Sequence, residues 1–314
     1  MNQDRIIYKI AKAYYENNCT QQEIANKYGI SRMKVSRMLA TAVQNKIVQI
    51  KIASPSNKFF ILEHKLEVKY GLKEVIIADT NGNDNDDLIE SIGGIAAGYL
   101  NNRLLGNEIV ALTWGRTLFS MVNALSAENF PKLQVVQMLG GLGEPEAGYH
   151  GADLTRRMAQ NFSTKPRLIH APGIVRTRDL CRELINDIQV KSTLNVAARA
   201  DLAIVGLGLF GPGSPIWKTE NILTEEDKKM LTSKNIAGDL SLRFFNDQGQ
   251  FISSKIDDRI VGLNIDQIKK IPKIIGIAGG EEKYRSIRAV LKGSLIHVLI
   301  TDKHTAEKLA IENI

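Results

Sequence analysis

The sequence predicts an α/β protein with two parts: an N-terminal helix-turn-helix head, in winged form, and a doubly wound, mostly parallel, Rossmann-like effector domain. Three observations predict it. Residues 20–40, TQQEIANKYGISRMKVSRMLA, carry the caps and turn of two crossed helices. The formal charge of +7 lies wholly in the first 58 residues, where ten Lys/Arg face three acidic residues; the rest of the chain carries 31 of each sign. From Glu74 onward, short Val/Ile/Leu runs alternate with longer helical stretches, the pattern of a parallel sheet covered on both faces.

Residues 3–16 place Ile6, Ile7, Ile10, Ala11 and Tyr14 at helical spacing, giving a helix to pack behind the motif. Thr20 and Glu23 have capping-box spacing, Gly29 suits a left-handed helix end, and Ser31 can cap the next helix. Ile24, Ala25, Tyr28, Ile30, Val35 and Met38 fall where the helices must bury apolar groups. A helical hairpin with a solvated basic face would share part of this pattern. The common register of caps, glycine and apolar positions, together with the charge asymmetry, favours nucleic-acid binding. Thr20, Gln21, Ser31, Arg32, Met33, Lys34, Ser36 and Arg37 are therefore the candidate DNA contacts.

Ile47–Ile52 has the composition of a strand, either a wing touching phosphates or a piece of the small domain's core. The expected domains are 1–52 for the head, 53–60 for a linker and 61–314 for the body. A helix over 59–70, with Phe59, Leu62, Leu66 and Tyr70 on one side, either pairs with its twin or packs on its own body. Strands are expected at 75–78, 109–112, 133–139, 201–205, 274–278 and 296–300. Helices are expected near 86–104, from Gly115, near 151–162 and at the C-terminus.

Glycine-rich turns follow three strands: Gly115-Arg116-Thr117, Gly140-Gly141-Leu142-Gly143 and Gly279-Gly280 ahead of Lys283. Such turns let a ligand reach backbone N–H groups at the carboxyl ends of the strands, although each of them taken singly also fits a tight strand-to-helix turn with no ligand. Arg116, Thr117 and Lys283 add cations and a hydroxyl suited to a phosphate. Gly206–Gly211 spells G-x-G-x-x-G, but Pro212 and Pro215 prevent the helix that a dinucleotide site requires, leaving a loop bordering the pocket. Asp257-Asp258-Arg259 either orients ligand groups or forms a structural ion pair.

No histidine has a partner at metal-ligand spacing, and no nucleophile elbow or P-loop occurs. Neither a cofactor, nor a metal, nor a catalytic set is expected. An enzyme acting on a sugar phosphate would need an acid/base pair, for which Asp239 and a histidine are the best offer. Two distant cysteines, no signal-like N-terminus and no run of membrane-span length point to a cytoplasmic protein away from membranes.

With these residues in view, the chain resembles the SorC family of bacterial transcriptional regulators. The resemblance runs through the head, WGRT at 114–117, VVQMLGGLG at 135–143, APGIV at 171–175 and ADLAIVGLG at 200–208. It continues through GDLSLRFF at 238–245, DDRIVGL at 257–263, IPKIIGIAGGEEK at 271–283 and LITDKHTAEKL at 299–309. Asn45-Lys46 departs from the acidic residue and glycine usual in the family, which leaves the start of the wing open. The resemblance implies a regulator of a carbohydrate operon whose body binds a sugar or phosphorylated sugar. It implies that Gly115–Thr117 and Gly140–Gly143 line the effector site, that Asp239 binds hydroxyls, and that Lys283 holds a phosphate or other polar end. Operator DNA, the sugar effector and further copies of the chain, as a dimer or tetramer, are the expected partners.

Overall fold

The computed structural model describes residues 3–48, 59–80, 84–142, 150–218 and 223–312. The chain divides into two compact units, Met1–Asn57 and Lys58–Ile314.

The first unit is a three-helix head: α1 (Gln3–Tyr15), α2 (Gln21–Tyr28) and α3 (Arg32–Gln44). Thr20 and Glu23 form a reciprocal capping box on α2. Gly29 ends that helix at φ 61°, and the Ser31 side chain accepts the Lys34 N–H to start α3. Ile7, Ile10, Ala11, Ile24, Ala25, Val35, Leu39 and Ala42 are its buried core, with Ile6, Tyr14, Tyr28, Ile30 and Met38 packed around them. Of the expected wing strand, Ile47 and Val48 form a bend that packs against this core, and Val48 N–H donates to Ala42. Residues 49–52 and residues 53–58 of the expected 53–60 linker lie outside the described residues, and Phe60, expected in that linker, begins the next helix.

The second unit opens with α4 (Phe60–Tyr70), β1 (Glu74–Ala78), α5 (Asn85–Arg103), β2 (Ile109–Leu112) and α6 (Arg116–Ala124). It continues through β3 (Gln134–Gln137), α7 (Gly151–Asn161), β4 (Pro166–Arg167), α8 (Arg178–Asn186), α9 (Ile188–Ala197) and β5 (Leu202–Gly206). Then come β6 (Gly208–Leu209), α10 (Pro215–Lys218), α11 (Glu225–Ser233), β7 (Ile236–Leu240), β8 (Arg243–Asn246) and α12 (Ile265–Lys269). It closes with β9 (Ile274–Ile277), α13 (Tyr284–Lys292), β10 (Val298–Asp302) and α14 (Lys303–Ile311).

Seven strands form one sheet in the order β1-β10-β9-β5-β2-β3-β4, with every pairing parallel. Alternate residues of one strand enter different cores. Ala111, Ala203 and Leu299 join α4, α9, α13 and α14 on one face, while Val110, Leu112, Ile204 and Ile300 join α5, α6 and α7 on the other. The sheet is thus doubly wound. From β2 the chain moves outward through β3 and β4; from β5 it moves the opposite way, through β9 and β10. The order reverses between β2 and β5, where the carboxyl ends of neighbouring strands open a crevice.

A small antiparallel sheet, β6-β7-β8, lies between β5 and β9 in sequence and has a core of its own, including Leu142, Ile216, Leu231, Ile236, Leu242 and Phe244. The expected face of α4 packs on its own body: Phe59, Leu66 and Tyr70 are buried, and the Tyr70 hydroxyl donates to Leu309 O. Its opposite face exposes Phe60, Ile61 and Val68. Asp257 accepts from Arg243, and Arg259 pairs with Asp227 at 2.5 Å, so the 257–259 cluster ties the small sheet to its surroundings.

Candidate functional site

In the head, the caps that set the angle between α2 and α3 also decide which side chains stay outside. Val35 and Leu39 turn inward. Ser31, Arg32, Met33, Lys34, Ser36 and Arg37 stay exposed, as does Thr20, with Gln21 half-buried beside them. Arg37 Nη2 lies 3.6 Å from the Met33 sulfur, so the two occupy one patch a turn apart. The first turn of α3 therefore offers charge, donors and an apolar tip together, the equipment of a helix that enters a major groove.

In the body, a cavity of about 750 Å³ occupies the crevice at the carboxyl ends of β1, β10, β9, β5 and β2. Each strand end brings something different. After β2, Gly115 stands at φ 132° and caps α6 without a side chain, so the first N–H groups of α6 face the cavity beside Arg116 and Thr117. Thr117 is buried; Arg116 is exposed and lies 3.7 Å from Asp86. After β9, Gly280 at φ 88° begins a tight turn that delivers Lys283. Asp302, at the end of β10, fixes that turn: it accepts the Gly280 N–H at 2.8 Å and also caps α14 through Thr305. A side chain on Gly279 would place its Cβ 2.4 Å from the Asp302 carboxylate, so the glycine is required there.

Asp239 comes from β7. Its Oδ2 accepts the Leu242 N–H at 2.9 Å, and its Oδ1 stands over Gly208, where any Cβ would fall 1.8 Å away. The second glycine of G-x-G-x-x-G thus makes room for a carboxylate, and the stretch expected as a loop lines the cavity partly as strand, with Gly206 ending β5 and Gly208–Leu209 forming β6. Burial pushes the Asp239 carboxyl up to about 6, opposed by the Leu242 N–H and the Lys283 ammonium. Burial likewise pushes Lys283 down to about 8, helped by the Arg116 guanidinium and opposed by Asp239 and Glu282. Both groups are charged at neutral pH and sense each other across the cavity.

Gly115, Arg116, Thr117, Asp239 and Lys283 are therefore brought together at one cavity, whereas Gly140, Gly141 and Leu142 are not among the residues that line it. Gly140 N–H donates to Val261, Gly141 N–H donates to Ala171, and a Cβ on Gly140 would lie 2.6 Å from the Ala171 and Pro172 carbonyls. These glycines serve close backbone packing, and Leu142 is buried in the small-sheet core. Gly143 lies outside the described residues. Trp114 of the WGRT stretch also lines the cavity without having been singled out as a site residue, and sequence reasoning missed Ser241, Asp302 and His304, which line it too. Trp114, Asp302 and His304 sit at or just past strand ends, the only signal that could have found them; Ser241 carried none. His304 is exposed, 3.7 Å from Glu281.

The Sugar-bind model, which describes a sugar-binding domain, matches residues 54–310, and sigma-70 region 4 matches residues 9–45. The chain belongs to the SorC family. It is 29% identical over 311 residues to the sorbitol operon regulator of Klebsiella pneumoniae, covering 97% of each chain. It is 29% identical over 299 residues to the deoxyribonucleoside regulator of Bacillus subtilis (strain 168), covering 95% of each. The crystal structure of full-length SorC from Klebsiella pneumoniae aligns over 98% of both chains with a TM-score of 0.74 and 28% identity. This SorC-family protein is a transcriptional regulator that joins a helix-turn-helix to a sugar-binding domain. Among its described residues, no helix is long and apolar enough to cross a membrane, and no group of three or more metal-ligating side chains occurs.

Proposed function

We propose that the head reads a carbohydrate operator through Thr20, Gln21, Ser31, Arg32, Met33, Lys34, Ser36 and Arg37, and that a sugar or sugar phosphate bound in the body cavity switches that reading. One observation carries the proposal. The N–H groups at the start of α6, Arg116, Thr117 and Lys283 line the same cavity as the Asp239 carboxylate. Donors and cations suit a phosphate, and a buried carboxylate suits sugar hydroxyls. The relatives named for sorbitol and deoxyribonucleoside regulation favour a carbohydrate of this kind. The protein acts in the cytoplasm as a dimer or tetramer, since paired heads read paired half-sites, and the exposed side of α4 contributes to pairing. It binds its effector without turning it over and needs no cofactor.

A thermal-shift screen against sugars and their phosphates tests the reading, because a ligand that binds only the folded state raises the melting temperature. At least one phosphorylated sugar should shift the protein, remain chemically unchanged on incubation, and alter operator binding. Turnover of any member of the panel would favour an enzyme instead.

A further inference from the structure

We propose that the body cavity selects an effector with one phosphate and an uncharged remainder, and excludes sugars that carry a second acidic group, whether a further phosphate or a carboxylate. The inference rests on the cavity being the sugar-phosphate site and narrows the class of ligand it takes.

The helices α5, α6 and α14 all begin at this cavity, and the chain finishes their starts differently. Asp84 caps α5, its Oδ1 accepting the Asp86 N–H. Asp302 caps α14: its Oδ1 accepts the Thr305 N–H, and its Oδ2 accepts the Thr305 hydroxyl and the Gly280 N–H. At both starts a carboxylate of the chain already stands where an anion would bind. By contrast α6 begins at Gly115, which has no side chain to offer. Arg116, Thr117 and Leu118 line the cavity, and their N–H groups have no partner among the described residues. Of these starts, only that of α6 is open to an anion from outside.

The charged side chains repeat the pattern. Arg116 and Lys283 are the Lys/Arg groups among the described residues that line the cavity, and the Arg116 guanidinium stands close enough to oppose the ionisation of Lys283. Against them stand the carboxylates of Asp84, Asp239, Glu281, Glu282 and Asp302. Glu281 is taken up by Lys308 at 2.7 Å, and Asp302 by the donors it holds. Asp84, Asp239 and Glu282 are left to meet a ligand. Residues 81–83, 143–149 and 219–222 add no Lys, Arg or His to the body.

A phosphate monoester carries a charge of about −1.5 to −2 at neutral pH, which the two cations and the α6 N–H groups match. A second acidic group finds no further cation and lies among carboxylates, where its desolvation goes uncompensated. A neutral hydroxyl meets the same carboxylates as hydrogen-bond acceptors. One set of side chains therefore attracts the sugar and repels the wrong ligand.

Isothermal titration of the full chain with matched pairs tests this. The pairs are fructose 6-phosphate with fructose 1,6-bisphosphate, ribose 5-phosphate with ribose 1,5-bisphosphate, and glucose 6-phosphate with 6-phosphogluconate. Each pair adds one acidic group to the same carbon skeleton. In every pair that binds, the member with one acidic group should bind at least about tenfold more tightly. Asp84 and Glu282 are exposed, and Asn also caps helices, so an Asp84→Asn, Glu282→Gln double variant keeps the fold. In that variant the gap should narrow at least about threefold. A bisphosphate or 6-phosphogluconate that binds the parent as tightly as its partner would overturn the proposal while leaving the cavity's function intact. So would a gap unchanged in the double variant. If the parent binds none of the six, the sugar-phosphate reading fails, and the selection fails with it.

Discussion

Replacing Lys283 by Met should stabilise the body while removing its response to an effector. Lys283 ionises in the folded protein near 8 rather than 10.5, because burial and the Arg116 guanidinium together outweigh the attraction of Asp239 and Glu282. The charged form is therefore less comfortable folded than unfolded. The fall from 10.5 to about 8, at about 1.4 kcal/mol for each tenfold change in proton affinity, sets a ceiling of about 3.5 kcal/mol. Lys283 is only half-buried, so solvent screening reduces this to roughly 1–2 kcal/mol. Met keeps the stem and removes the charge, which predicts a rise in melting temperature at pH 7 of about 3–6 °C. The sign of the pH dependence follows. Between about 8 and 10.5 the folded parent has released the proton while the unfolded chain still holds it, so parental stability rises with pH across that window. The advantage of the variant is full below about 8 and shrinks above it. Thermal unfolding by circular dichroism at pH 7 and pH 9.5, with a sugar-phosphate thermal shift alongside, measures both effects. A variant that melts below the parent at pH 7, or an advantage unchanged at pH 9.5, would refute the reasoning that Lys283 is held at the expense of stability for ligand binding.

Thr117→Val keeps the shape of a buried β-branched residue and removes a hydroxyl from the start of α6, so operator binding should be retained and the effector response lost; operator titrations with and without effector check this. Arg32→Ala and Arg37→Ala should each weaken operator binding by roughly 1–3 kcal/mol and relax specificity. Unchanged affinity in both variants would remove them from the reading face. Light scattering at micromolar concentration should find a dimer or larger assembly, and a monomer with and without DNA would contradict the paired-head reading.

The head was legible in the sequence because its signals are local. Thr20 with Glu23, Gly29 and Ser31 each act within three or four residues, and the charge surplus needed no fold to be counted. The parallel strands were legible because burial on both faces leaves continuous runs such as those at 109–112 and 274–277. Gly115–Thr117 and Lys283 were legible because strand-end turns at a switch point converge in any doubly wound sheet. Gly140–Leu142 could not be read in the same way for a physical reason: a glycine that admits another backbone looks identical in sequence to one that admits a ligand. Only the position of β3, beyond β2 from the crevice, separates the two. The small sheet escaped because β6 is two residues long and β7, Ile236–Leu240, is interrupted by Gly238 and Asp239 and so leaves neither a continuous apolar run nor an alternation to read. With it went Ser241, whose place in the cavity lining is a property of the folded chain alone.

The coupling of the two units is the central claim, and it is reciprocal by necessity. Fluorescence anisotropy of labelled operator should give one affinity without effector and another at saturation with the sugar phosphate that the thermal screen selects. Calorimetric titration of that effector into free and operator-bound protein should change by the same factor and in the same sense. Lys283→Ala should keep the effector-free operator affinity and show no response. An effector that occupies the cavity without altering operator affinity, or a Lys283→Ala protein with normal effector sensitivity, would contradict the account.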